Sequence, residues 1–159
     1  VGNAAGNTIV GNALSNRLEG AEGNDALIGG EGTDTLVGGS GDDGYYADED
    51  DVYTEIAGPD GGSDTVYSAL GFFGLPAHIE HLILLNAEGT FDAGGNALAN
   101  VLTGNQLNNL LFGDDGNDTL IGNGGDDVLV GGAGSDSMAG GSGNDRYFET
   151  EPIDSIVEL

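Results

Sequence analysis

A nine-residue period constrains this chain more than any other feature. Its clearest copy is GGEGTDTLV at residues 29–37. The unit recurs eleven times, in two blocks. In residues 2–46 it starts at 2, 11, 20, 29 and 38, and in residues 95–148 at 95, 104, 113, 122, 131 and 140, with no slip in register. The pattern in the good copies is Gly-Gly-x-Gly-x-Asp-x-U-x, where U is a large apolar residue. A period that joins a glycine turn to a short apolar strand describes a solenoid, in which each unit stacks on earlier ones.

The U positions are Ile9, Leu18, Leu27, Leu36 and Tyr45, then Leu102, Leu111, Leu120, Leu129, Met138 and Tyr147. Side chains alternate across a strand, so U points inward while its neighbours face out. One large side chain buried per unit stabilises by roughly 2 kcal/mol. Ordering nine residues costs about 1–2 kcal/mol each in backbone entropy. Burial loses that comparison, so another interaction must close the turns.

The sixth place supplies it. Seven copies carry Asp there: Asp25, Asp34, Asp43, Asp118, Asp127, Asp136 and Asp145. The glycines beside them are Gly23, Gly30, Gly32, Gly39 and Gly41, then Gly116, Gly125, Gly132, Gly134, Gly141 and Gly143. They permit the backbone angles a tight turn needs to aim several carbonyls at one point. Carbonyl oxygens plus one carboxylate from each of two stacked turns form an all-oxygen shell suited to calcium. That ion takes roughly six to eight oxygens at flexible geometry, whereas magnesium demands a stricter octahedron. A single copy reads equally well as a plain Asp-Gly bend; seven in strict register argue for several metal sites.

Charge points the same way. Among 159 residues, 28 are acidic and two basic (Arg17 and Arg146), for a net charge of −26. Such self-repulsion opposes compaction, and a glycine-rich acidic chain without counterions belongs to the disordered class. Either the chain stays unfolded or cations complete the fold. Nucleic acid and anionic membranes are poor partners, because almost no basic residue exists to meet their phosphates. The absence of cysteine excludes disulfides and thiolate zinc sites. No stretch is apolar enough to span a membrane, and the first residues lack a signal-peptide pattern. The chain begins and ends inside repeat-like sequence and reads as a segment of something longer.

The copies GAEGNDALI, GGEGTDTLV and GGSGDDGYY, with GDDGNDTLI, GNGGDDVLV, GGAGSDSMA and GGSGNDRYF, resemble the RTX family, the hemolysin-type calcium-binding repeats of secreted bacterial proteins. SDTVYSAL, HIEHLILL and GNALANVLTGN are similar to the stretches that separate repeat blocks in such proteins. The resemblance implies an all-β fold, a right-handed parallel β-roll with two nonapeptides per turn. It also implies calcium between loops two units apart, with the quoted aspartates as ligands.

Four units depart from the rule together. Their sixth place is Asn7, Asn16, Asn100 or Asn109, and their fourth is Ala5, Leu14, Leu98 or Leu107 rather than Gly. The paired change predicts a different way of closing the turn: an amide hydrogen-bonding along the stack, with added apolar burial from leucine. These turns open each block, so each array is expected to start on a less metal-dependent base. Full Asp–Asp sites then pair Asp25 with Asp43, Asp118 with Asp136, and Asp127 with Asp145. Weaker mixed sites pair Asn7 with Asp25, Asn16 with Asp34, Asn100 with Asp118, and Asn109 with Asp127.

Three segments result: a first array at residues 1–46, irregular connecting coils at 47–94, and a second array with its cap at 95–159. A linker is one reading of the middle segment. A less regular continuation of the solenoid is favoured, because its strands are spaced like coils and Gly/Ser linker composition is missing. Thr65–Ser68 and residues 81–85 read as strands, the latter an apolar run expected to be buried on both sides. Asp48, Asp50 and Asp51 read as a solvated acidic loop, with capping of the first array's last ion as the alternative. His78 and His81 lack the spacing of a zinc motif and read as structural. Tyr45, Tyr46, Tyr147 and Phe148 are expected to cover the last coils of their arrays.

The function expected is a calcium-binding module that folds on calcium outside the cell or at the bacterial surface, and so supports secretion and folding of a larger protein. Calcium ions and neighbouring domains of that protein are the partners, with self-association through the solenoid ends. Catalysis is not expected, since no nucleophile constellation exists and acid–base groups other than carboxylates are nearly absent. The alternatives are a stiff spacer or recognition segment of a large adhesin, and the C-terminal module of a secreted hydrolase or polysaccharide-modifying enzyme. Scattered Thr33, Thr35 and Thr119 form no ordered row of the kind an ice-binding face requires.

Overall fold

The computed structural model describes residues 1–48, 50–58, 60–86, 89, 91–148 and 153–157. All regular elements among them are strands, and all described pairings are parallel. The chain divides into two compact units, one of Val1–Ser68 with Pro76–Ile79, the other of Ala69–Leu75 with Glu80–Leu159.

The first unit holds β1 (Thr8–Val10), β2 (Arg17–Glu22), β3 (Ala26–Ile28), β4 (Thr35–Ser40), β5 (Gly44–Ala47), β6 (Val52–Thr54) and β7 (Thr65–Ser68). Odd and even strands separate into two sheets, β1-β3-β5-β7 and β2-β4-β6. Partners in the repeats lie eighteen residues apart, as in Ile9↔Leu27 and Leu18↔Leu36. Successive units therefore alternate between faces of a parallel β-roll, and each turn of the roll takes two nonapeptides. From the segment between the repeat blocks, β6 pairs with β4 and β7 with β5.

The second unit repeats the plan with β8 (Phe72–Gly74), β9 (His81–Leu84), β10 (Phe91–Gly94), β11 (Val101–Thr103), β12 (Asn109–Asp115), β13 (Thr119–Gly124), β14 (Val128–Ala133), β15 (Ser137–Ser142), β16 (Arg146–Phe148) and β17 (Ser155–Val157). One sheet runs β9-β11-β13-β15-β17 and the other β8-β10-β12-β14-β16.

The U side chains form the cores. Leu27, Leu36 and Tyr45 in one unit, and Leu102, Leu111, Leu120, Leu129 and Met138 in the other, are fully buried. Burial alternates along the strands, as period-two geometry requires. It alternates in β9 too: Leu82 and Leu84 are buried while His81 and Ile83 are half-exposed, so this run is not covered on both sides as its composition suggested. His78 lies in the turn before β9, at a left-handed φ of 70°. Tyr45 does not end its sheet: β7 follows β5, Val66 pairs with Tyr45, and the ring meets Tyr53 edge-on at 5.6 Å. Tyr46 is partly exposed and stacks on Tyr67 at 5.0 Å. Phe148 remains half-exposed.

Candidate metal sites

The glycines of the turns answer a backbone demand. All eleven glycines singled out at the second and fourth places have φ between 96° and 144°, in the region that side chains disfavour. The second place tolerates exceptions, since Ala21, Asp114 and Asn123 stand there with φ of 92°, 70° and 75°. The four Asn turns use no left-handed residue at either place. This explains why the fourth-place Gly and the sixth-place Asp vary together: two backbone conformations exist, each with its own side chains.

In the Asn turns the amides close the loop internally. Asn7 Oδ1 accepts the Asn3 N–H at 2.8 Å, and Asn16, Asn100 and Asn109 repeat this with the N–H of Asn12, Asn96 and Asn105. A second asparagine, at the second place, also takes part. Asn3, Asn12, Asn96 and Asn105 accept the N–H of Ala5, Leu14, Leu98 and Leu107 at 2.9–3.0 Å. Sequence reasoning missed these four, although GNxxxN is visible in every such unit. The expected apolar gain is small, because Leu14 and Leu107 are exposed and Leu98 is only half-buried. Hydrogen bonds, not leucine burial, close these turns.

The aspartates behave differently. Each Asp Oδ1 accepts a backbone N–H from the sixth place of the coil two units earlier. The first unit has Asn7 to Asp25 and Asp25 to Asp43 at 2.7 Å, with Asn16 to Asp34 on the other edge. The second has Asn100 to Asp118 and Asp118 to Asp136, with Asn109 to Asp127 and Asp127 to Asp145 beside them. All seven aspartates lie in these ladders, and the pairs eighteen apart are brought together. The ladders also reach three residues beyond the nonapeptides. Asp34 donates to Asp51, Asp43 to Asp64 and Asp136 to Asp154. The acidic loop is thus not wholly solvated: Asp50 is exposed, but Asp51 is committed to the array.

The other carboxylate oxygen is the informative one. Oδ2 of Asp25, Asp34, Asp43, Asp51, Asp118, Asp127, Asp136 and Asp145 is buried without a hydrogen-bond partner. Buried polar atoms are nearly always satisfied, and an orphaned anionic oxygen is costlier than a neutral one. Those of the seven repeat aspartates converge on the first-place glycine of their own unit, and that of Asp51 on Gly29. A Cβ on Gly20 would strike both Asp25 Oδ2 and the Gly38 carbonyl oxygen. On Gly113 it would strike Asp118 Oδ2 and the Gly131 carbonyl, and on Gly122 Asp127 Oδ2 and the Gly140 carbonyl. Sequence reasoning attended to the second and fourth glycines and passed over the first.

Burial without a counterion pushes Asp43, Asp118 and Asp127 up to about 6, desolvation being the largest cause and neighbouring carboxylates adding to it. Asp51 is raised for the same reason. The donors are all hard oxygens, part carboxylate and part carbonyl, the set that calcium prefers. The residues present fit that ion.

Four copies of the RTX calcium-binding nonapeptide repeat match the chain, over residues 1–36, 10–45, 94–129 and 112–147. Together they cover more than half of it, and the chain belongs to this family of calcium-binding repeats. A comparison with curated proteins finds no match.

Proposed function

We propose that this β-roll is the calcium-triggered folding module of an exported protein. It stays extended where calcium is scarce, inside the cell, and folds where calcium is plentiful, outside it. The ions sit beside the orphaned Oδ2 atoms of Asp25, Asp34, Asp43, Asp118, Asp127, Asp136 and Asp145, with first-place carbonyls as further donors. The second- and fourth-place glycines shape the turns around them. Calcium supplies charge neutralisation, and no reaction step. Because only the folded state presents the oxygens together, ion binding becomes folding free energy by linkage. Any catalysis belongs to neighbouring domains of the larger protein.

The observation that carries this reading is the set of eight buried, unpartnered carboxylate oxygens in a chain of net charge −26. Far-UV circular dichroism, titrated from chelator to about 10 mM calcium with magnesium as control, tests it over the range of extracellular calcium modules. A cooperative coil-to-β transition with calcium alone is expected. A β spectrum already complete in chelator would overturn the folding switch.

A further inference from the structure

The first array ends on a cluster unlike the repeat. Asp43, Glu55 and Asp64 are all buried, and each offers a carboxylate oxygen within 4.8 Å of the others. Only Asp43 belongs to a nonapeptide; Glu55 and Asp64 come from the segment after the array, outside the family matches. Asp43 is 2% exposed and its Oδ2 has no partner. That oxygen points at Gly38, where an added Cβ would also strike Glu55 Oε1 and the Tyr45 hydroxyl.

The contrast with the array cradles is chemical, and Gly29, met by the Oδ2 atoms of Asp34 and Asp51, shares it in part. At Gly20, Gly113 and Gly122 an aspartate oxygen faces the carbonyl of a glycine eighteen residues later. At Gly38 the Glu55 carboxylate stands where those cradles present a carbonyl. Glu55 is held in place: Tyr45 donates its hydroxyl to Oε1, and the Ile56 N–H donates to Oε2 at 3.1 Å. Asp64 is held by the Asp43 N–H at 2.8 Å. Neutral carbonyl has been exchanged for anion, in a buried position.

We propose that Glu55 and Asp64 join Asp43 at the end of the first array in a calcium site that fills before the other sites. The proposal rests on the calcium reading of the repeats. Ligand charge sets affinity for hard cations, and three carboxylates around one ion exceed what the array cradles offer. The ion also ties β6 and β7 to the array, since Glu55 follows β6 and Asp64 precedes β7. A trivalent lanthanide suits the same oxygens, and Tyr45 beside them makes its arrival visible.

The test is a terbium titration of the intact chain, read by luminescence excited through tyrosine, with calcium as competitor. The wild type should show a first phase with a midpoint about tenfold below the rest, as expected from one added carboxylate. Glu55→Gln, which keeps the shape and an acceptor for Tyr45, should remove that phase and leave the later ones and the calcium-saturated dichroism intact. Tyr45→Phe should darken it, while Tyr147→Phe should not. A first phase unchanged in Glu55→Gln overturns the proposal and leaves calcium-driven folding standing. If Glu55→Gln fails to reach the wild-type spectrum, Tyr45→Phe decides: undiminished first-phase luminescence there places the tightest ion elsewhere. Absence of any calcium-driven folding in the wild type sinks the broader function instead.

Discussion

The two kinds of turn occupy equivalent places in the same roll and solve one problem by opposite means. An Asn turn uses its side-chain oxygens within nine residues: Asn12 holds the Leu14 N–H while Asn16 holds the Asn12 N–H. An Asp turn gives one oxygen to the coil two units earlier and leaves the other buried and unsatisfied. The first arrangement is complete as polypeptide. The second is complete only with a cation. The contrast teaches that sidedness and register are carried by the strands, while the turns decide whether the fold depends on solvent composition.

The largest test of this contrast is removal of calcium. In excess chelator, amide exchange at the sixth place should become fast at Asp34, Asp127 and Asp145, with protection falling by several orders of magnitude. Residues 3–16 and 96–109 should retain more protection than the Asp turns for as long as any β structure survives. Equal loss in both classes, read by hydrogen–deuterium exchange, breaks the distinction.

Next is a swap of chemistry without a swap of backbone. Asp127→Asn leaves Gly125 at its left-handed φ of 107° and removes one carboxylate. About a tenfold rise in the calcium midpoint of folding is expected, close to 1.4 kcal/mol. Full rescue by the amide, in a calcium titration by circular dichroism, would mean that backbone shape rather than charge defines the site.

Acidity separates the turns again. Without a cation, Asp43, Asp118 and Asp127 sit at about 6 against an ordinary 3.8. A carboxyl raised on folding favours the fold fully when both states are protonated, and that contribution is lost as pH rises through 6. In chelator, β structure should therefore increase between pH 7 and 4.5. Protons thus stabilise the same fold as calcium, so the calcium midpoint of folding should fall rather than rise from pH 7 to about 5.5. Dichroism-monitored titrations at the two pH values check both signs.

The smallest effect falls on the Asn side. Asn96→Ala removes an acceptor for the Leu98 N–H and should cost about 1 kcal/mol in calcium-saturated denaturation. Its calcium midpoint should shift only by that loss, with no change in the number of ions bound.

Much of this contrast was legible as letters. The nine-residue period gave the two-sheet alternation because inward positions repeat at fixed spacing, and the paired Gly/Asp and Leu/Asn substitutions announced two turn types. Asp51, Asp64 and Asp154 were hidden for a physical reason. They enter the ladders at offsets of 17, 21 and 18 residues, in coils without the glycine pattern. The burial expected for Leu14 failed because a fourth-place side chain on an ordinary backbone turn points to solvent. The first-place glycines were overlooked because their need is for space beside an oxygen, and no unusual φ marks them.

Alternation between two sheets gives the chain a parity. In the second unit β15 and β17 belong to one sheet and β14 and β16 to the other. Deleting a single nonapeptide between them would send every later strand to the opposite sheet, and with it the non-repeat residues that fit only one edge. Removing two would return each to its own side. Growth or trimming of such a roll is thus quantised in steps of eighteen residues, and a tandem duplication that keeps the cap in place must count in pairs.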